Sequence, residues 1–237
     1  MSETSSHGVA LLAAAVLAAS AALEEAQDEL CRLDSVAGHG DEGFAMASAA
    51  RGIRTELAKG LPTEVTGLLS MAATQFSGSG GTMGALSFVL LHSLGQVPRI
   101  GTDPLSAAMI AELLGAAEDS VSAFGGANRG DKTIIDGIAG ARDEAQACVG
   151  EGETCSQTLV RCAAAAREAA AITAGMVARI GRASRFNEQS RGTVDPGAQS
   201  FAIVLSALAQ SYSSARREDE PQAVSNDETA SGQSGAE

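Results

Sequence analysis

Apolar positions along the chain recur at intervals of three and four residues. Leu86, Val89, Leu90 and Leu94 form one such stripe, and Ile203, Val204, Ala207 and Leu208 form another. That spacing puts apolar side chains on one face of an α-helix, where they meet neighbouring helices. The breaks between stripes predict about eight helices, near 8–33, 42–58, 62–76, 82–95, 104–124, 131–148, 154–180 and 197–214. Gly60 and Pro62 end one helix and Gly78 to Gly81 open another. Pro98 and Pro104 bracket a further boundary, and Asp195-Pro-Gly197 introduces the last helix.

Composition strengthens the helical reading. Alanine is abundant, β-branched runs are scarce and aromatics are only 3% of residues, so propensity favours an all-α fold over a sheet. A chain of 237 residues can bury one substantial core. From Ser213 onward Glu, Asp, Ser, Gln and Gly dominate, a composition that cannot offset chain entropy by burial. The expected organisation is one folded domain over 1–212 and a disordered acidic tail over 213–237.

A formal charge of −13 repels nucleic-acid backbones and anionic lipid surfaces, which argues against either as a partner. An anionic ligand therefore needs a local device, such as a metal or a helix N-terminus. The apolar run Val9–Leu23 is short for a membrane span, follows Glu3 rather than a basic residue, and leads into Glu24 and Glu25. These features point to a cytoplasmic protein. Cys31, Cys148, Cys155 and Cys162 include no CxxC pair, and Gly150 and Gly152 interrupt the seven-residue spacing of the last three. They read as buried, reduced thiols.

Four segments carry candidate chemistry. In Asp34-Ser-Val-Ala-Gly-His-Gly-Asp41-Glu-Gly43, glycines bring acidic residues together before a helix, which suits a hard cation and a phosphate group. The same turn also reads as an Asx-type turn with Asp41 as N-cap. Gly78-Ser-Gly-Gly-Thr-Met-Gly84 is a glycine-rich helix approach without the lysine of a Walker loop, and such a segment taken alone is more often a flexible turn. Asn128-Arg-Gly-Asp-Lys-Thr133 reads as a helix start with Asp131 as cap, and its Arg-Gly-Asp tripeptide carries no adhesion role in a cytoplasmic chain. In Gly181-Arg-Ala-Ser184, Arg182 can serve a phosphate or cap helix carbonyls.

Taken together, these segments resemble the L-subunit of dihydroxyacetone kinases, the nucleotide-binding component of that family. The resemblance spans about residues 8–212. It is closest at Gly-Asp-Lys-Thr 130–133 with Asp136, at Gly-Arg-Ala-Ser 181–184 with Glu188 and Ser190, and at Asp-Pro-Gly-Ala 195–198. It implies a closed barrel of eight antiparallel amphipathic helices that binds ADP or ATP at one end, with the phosphates held through Mg²⁺ by aspartates. Asp34 and Asp41 are then metal ligands, and His39 stands where the family has a third aspartate. Nucleotide contacts are implied at Glu42, Gly43, Phe44 and Ala45, at Thr82 and Met83, at Gly125 and Ile134, at Arg182, and at Asp195, Pro196 and Gly197.

An imidazole in place of a carboxylate weakens Mg²⁺ more than Mn²⁺ or Zn²⁺. Phe44, Ala45 and Met83 also stand where the family has small polar residues. The resemblance implies an ATP-dependent kinase subunit acting on dihydroxyacetone or a related short keto-sugar. A separate ketone-binding subunit would hold the acceptor. The alternatives are a catalytically weakened homologue that serves as a binding or regulatory module, and a variant whose bound ADP is rephosphorylated by a phosphotransferase-system protein. The family interior can accommodate lipid, although close packing predicts a filled one here.

Overall fold

The computed structural model describes residues 3–98 and 106–219. Among the described residues nine α-helices run in chain order: α1 (Glu3–Glu25), α2 (Gln27–Ala37), α3 (Glu42–Lys59), α4 (Val65–Ser79), α5 (Gly81–Leu94), α6 (Ala107–Gly125), α7 (Ile134–Glu151), α8 (Cys155–Ile172) and α9 (Pro196–Asp219). Short 3-10 helices at Thr173–Gly175 and Ala183–Ser190 lie between α8 and α9. The described residues contain no strand, as the all-α reading expects.

The first predicted helix is bent rather than continuous. Hydrogen bonds from Ala26 N to Ala22 O and from Leu30 N to Ala26 O, both 3.0 Å, carry the ladder through the bend. Beyond it, α2 leans on α3. The predicted helix 154–180 ends as α-helix at Ile172 and tightens into a 3-10 turn, where the Thr173 carbonyl accepts from Met176 N at 3.0 Å and from the Lys132 ammonium. At the chain's far end α9 continues through 213–219, where the Arg216 guanidinium stacks over the Tyr212 ring. Residues 220–237 of the expected tail and the Pro104 boundary lie outside the described residues.

Helix contacts pass from α1 to α3, then through α4, α5, α6, α7, α8 and α9, and from α9 back to α1. The starts of α3, α5, α7 and α9, every second helix in this order, lie together at one end. By length and composition, His7–Glu25 is apolar enough to cross a membrane. Its stripe of Val9, Ala13, Ala15, Ala19 and Leu23 is buried, and α1 packs on α3, α4 and α9.

Small residues set the helix spacing. A Cβ at Gly43 would lie 1.9 Å from the Gln27 carbonyl oxygen, and one at Gly140 would lie 2.7 Å from the Ala169 Cβ. Leu30, Met46, Ala50, Ile53, Leu68 and Phe76 form one part of the core, while Ala141, Ala145, Cys162, Ala163 and Ala166 form another. Cys148, Cys155 and Cys162 are buried, Cys31 is half-buried, and none of the four forms a disulfide among the described residues.

The interior is not filled, contrary to the close-packing expectation. An apolar cavity of about 300 Å³ lies among the helices, lined by residues such as Leu12, Leu69, Phe76, Leu90, Phe201 and Leu205. Alanine-rich contacts bring the helix flanks together, yet the few aromatics leave the space between them unoccupied by side chains.

Gly43→Ala forces α2 and α3 apart. The expected cost is about 1–3 kcal/mol, the range for overpacking a close contact, read as a lower urea midpoint with an unchanged slope.

Candidate functional site

A cavity of about 470 Å³ opens where four helices begin. Its wall includes Glu42 of α3, Gly81, Thr82 and Met83 of α5, Ile134 of α7, and Pro196 and Gly197 of α9. Alternating helix direction brings these N-termini to one end, where their backbone dipoles favour negative charge.

Each start is built differently. At α3 it is Asp34, not Asp41, that caps: Asp34 Oδ2 accepts from Asp41 N at 3.0 Å and from Glu42 N at 3.3 Å. The Asp41 side chain makes no cap hydrogen bond, which corrects the Asx-turn reading. Gly38 permits this arrangement, since a Cβ there would fall 2.0 Å from Asp34 Oδ1.

At α5 the cap is Gly80, which has no side chain to satisfy the first amides. Gly80 and Gly81 take φ of 78° and 71°, a left-handed turn with open space around both α-carbons. These uncapped amides suit an anion. Gly84, by contrast, serves packing, because a Cβ there would meet the Phe76 carbonyl oxygen at 2.6 Å.

The start of α7 is capped by Thr133 in a capping box with Asp136, instead of by Asp131. Asp136 Oδ2 accepts from Thr133 N at 2.8 Å and Oδ1 from Gly130 N at 2.6 Å, while Asp131 Oδ2 accepts from Asn128 N. Arg129 of the Arg-Gly-Asp tripeptide forms a two-point ion pair with buried Glu118 and another with Asp143. The Arg129 hydrogen bonds hold the Glu118 carboxyl below the usual range, against the effect of its burial.

Between Asp131 and Thr133, Lys132 has φ 63° and is 5% exposed. Its ammonium donates to Thr173 O at 2.6 Å and to Thr193 O, the two ends of the segment joining α8 to α9. Thr173 Oγ1 accepts from Asp195 N at 2.8 Å, and Asp195 Oδ1 caps α9 through Ala198 N, also at 2.8 Å. Ser190 is buried and its Oγ accepts from Ala178 N, which pins the middle of the segment. Lys132 was absent from the predicted site. A signal existed: a lysine at a helix N-terminus opposes the dipole, so its charge must be used elsewhere.

Acidic groups crowd the same cavity. Burial pushes the Asp195 carboxyl up to about 7, opposed by the Ala198 amide and the Lys132 charge. Glu42 is held well above the usual carboxylate range, first by burial and then by the negative charges of Asp195 and Asp34, with Ser200 opposing. Burial holds the Lys132 ammonium below its ordinary range, and Asp195 partly restores it.

Most predicted residues meet here. Asp34, Asp41, Glu42, Phe44, Ala45, Thr82, Met83, Ile134, Arg182, Asp195, Pro196 and Gly197 all line the cavity. Phe44 is 57% exposed and stands at its mouth. Gly43 does not line the cavity but faces α2. Gly125 lies behind Leu86, 3.3 Å from a Cβ position to Leu86 Cδ2. His39 is exposed, lies outside the cavity wall, and its Nδ1 meets the Arg182 guanidinium.

Among the described residues, no three His, Cys, Asp or Glu side chains gather into a metal-holding group. The carboxylates nonetheless fit a hard cation. The charges of Asp195, Asp34 and Asp41 all act on the Glu42 carboxyl, and a divalent cation that shares phosphate and water ligands would offset them. His39 does not fit that donor set.

Fold and site thus define an all-helical protein with a cavity at the end where four helices begin. Residues 36–210 match the DAK2 domain, and the chain belongs to that family. It is 38% identical over 186 residues to L-erythrulose 1-kinase of Mycolicibacterium smegmatis, covering 77% of this chain and 32% of the relative. Human triokinase/FMN cyclase is 33% identical over 186 residues, again covering 77% and 32%. The crystal structure of C. freundii dihydroxyacetone kinase in its native form superposes with a TM-score of 0.67 at 29% identity, covering 85% of this chain and 34% of that one. The structure of the same kinase in complex with AMP-PNP and Mg²⁺ gives 0.65 at 28% identity, with the same coverage. The chain therefore spans about a third of the length of these relatives.

Lys132→Met removes the donor shared by Thr173 and Thr193. A loss of about 2 kcal/mol is expected from urea denaturation, in the range for hydrogen bonds to a charged group, together with faster tryptic cleavage after Arg179, Arg182 or Arg185. The raised Asp195 carboxyl has a separate consequence. Between its ordinary 3.8 and about 7 the folded chain holds a proton that the unfolded chain has lost, so this group's contribution to stability falls as pH rises through that window. Asp195→Asn keeps the helix cap, and the decline of stability with pH should be shallower in it than in the native chain.

Proposed function

We propose that this chain is the nucleotide-binding part of a kinase that phosphorylates dihydroxyacetone or a related short keto-sugar such as erythrulose. One observation carries the reading: the acidic turn 34–41, the uncapped α5 start and the segment 195–197 face one cavity where four helices begin. That combination suits a polyphosphate accompanied by a divalent cation. The named activities of the similar kinases and the AMP-PNP and Mg²⁺ bound to the structural relative support it.

In this reading Asp34 and Asp41 hold Mg²⁺ or Mn²⁺, which would neutralise charge on the phosphates of ATP or ADP. The amides of Gly81, Thr82 and Met83 receive phosphate oxygens, and Arg182 supplies a fixed positive charge. Phe44, Ala45, Ile134, Pro196 and Gly197 shape the remaining wall, and Glu42 and Asp195 complete its acidic part. Asp34 has the further task of keeping the α3 start in place through its two amide bonds. The site belongs to the end of a closed helical barrel, and the protein acts in the cytoplasm.

The acceptor ketone is held by a ketone-binding kinase subunit. This division of labour agrees with the chain spanning a third of its longer relatives. Transfer then depends on positioning and electrostatic stabilisation, because phosphoryl transfer asks little covalent chemistry of the protein. A second reading, a catalytically weakened homologue that serves as a binding module, is favoured by one feature: Phe44, Ala45 and Met83 supply apolar wall where phosphate would be expected.

Calorimetric titration with ADP and ATP separates the two readings, using Mg²⁺, Mn²⁺ or a chelator beside the His39→Asp variant. The kinase reading expects micromolar nucleotide binding that requires the metal and disappears with chelator. No binding by the native chain, with binding gained by His39→Asp, would overturn it in favour of the weakened homologue. A phosphoryl-transfer assay with the ketone-binding subunit completes the test.

A further inference from the structure

The contact between His39 and Arg182 assigns a role to a residue that the cavity itself leaves out. Arg182 sits in the cavity wall, half-buried, on the 3-10 turn that follows Gly181. Its guanidinium Nη1 meets His39 Nδ1 across the gap between the 34–41 turn and the 173–195 segment. A guanidinium has donors and no acceptor, so Nδ1 must accept and the ring hydrogen resides on Nε2. With Nδ1 committed and Nε2 carrying hydrogen, neither nitrogen offers a lone pair to a cation.

We infer that His39 is a positioning residue for Arg182, which it aims at a phosphate oxygen of the bound nucleotide, and that it is not a metal ligand. The inference rests on the nucleotide-binding reading above. Three structural facts support it. The segment that bears Arg182 is anchored at both ends by Lys132 and in its middle by Ser190, so its backbone is fixed while the long side chain still needs a partner. Among the described residues Arg182 makes no ion pair with the nearby carboxylates; its side-chain partner is the imidazole, an acceptor that leaves the positive charge available. Asp34 and Asp41 remain as the hard donors of the turn, which is enough to hold a cation that shares phosphate and water ligands.

The site thus divides its work by chemistry. Carboxylates serve the cation, while a guanidinium, which matches phosphate in geometry and charge, serves the anion directly. Substituting His39 releases Arg182 into more rotamers, so the cost appears in nucleotide affinity and passes through Arg182.

A double-mutant cycle on the full chain tests this, with ADP affinity measured calorimetrically in Mn²⁺ for the native chain, His39→Leu, Arg182→Met and the pair. His39→Asn is the conservative control, because its side-chain oxygen can accept where Nδ1 did. His39→Leu should weaken ADP about tenfold, in line with the loss of a hydrogen bond to a charged group. His39→Asn should stay near native, and His39→Leu should add nothing once Arg182 is Met. Affinity for Mn²⁺ alone, followed by electron paramagnetic resonance, should be the same in His39→Leu and native chains.

Equal losses in both backgrounds, or a fall in Mn²⁺ affinity in His39→Leu, would overturn the assignment and make His39 an independent contact or a ligand. Failure of the native chain to bind ADP in any metal would instead remove the nucleotide reading itself, and this inference with it.

Discussion

A single ammonium group holds the functional end of this protein in shape. Lys132 reaches two carbonyls, Thr173 and Thr193, that lie at opposite ends of the irregular segment between α8 and α9. A common donor ties the two carbonyls together and so fixes the ends of the segment relative to each other. The residue adopts a left-handed backbone conformation to make the reach, and the Thr133–Asp136 capping box follows at once, so the strain is absorbed by a well-formed helix start. Arg182 and Asp195 both depend on this closure, one inside the segment and the other at its exit.

The wider architecture supplies the field in which those side chains work. Helices that alternate in direction deliver four N-termini to one end, which matters in a chain with a formal charge of −13. The overall charge repels a polyphosphate, whereas the local amides attract it. Carboxylates at the same end would seem to defeat the purpose. They make sense as a site in which a cation and an anion arrive as a pair, each relieving a potential that the other could not tolerate alone.

How much of this was legible in the sequence depends on the kind of interaction. Helices announced themselves through three- and four-residue spacing, and their boundaries fell near Gly, Pro and Asp residues because those residues act locally. The bend at Ala26 and the end of α8 at Ile172 were not legible, since each answers to a distant residue: α2 turns to lie on Gly43, and α8 gives its next carbonyl to Lys132. Asp34, Asp41, Arg182 and the 195–197 segment, which the resemblance names together, line one cavity. It did not separate residues that face the cavity from those that merely allow helices to approach, and Gly43 and Gly125 belong to the second kind. Capping was misassigned at Asp41 and Asp131 for one reason: an acidic residue beside a helix start need not be the one whose side chain turns inward.

Met83 and Ile134 appear in the walls of both cavities, the polar one at the helix starts and the apolar one within. The two compartments are therefore divided by a partition one side chain thick, and a flexible thioether makes up part of it. A change of side chain at either position alters the volume on both sides at once. An experimenter who substitutes Met83 to study the phosphate end also edits the interior, and the two effects share a single degree of freedom.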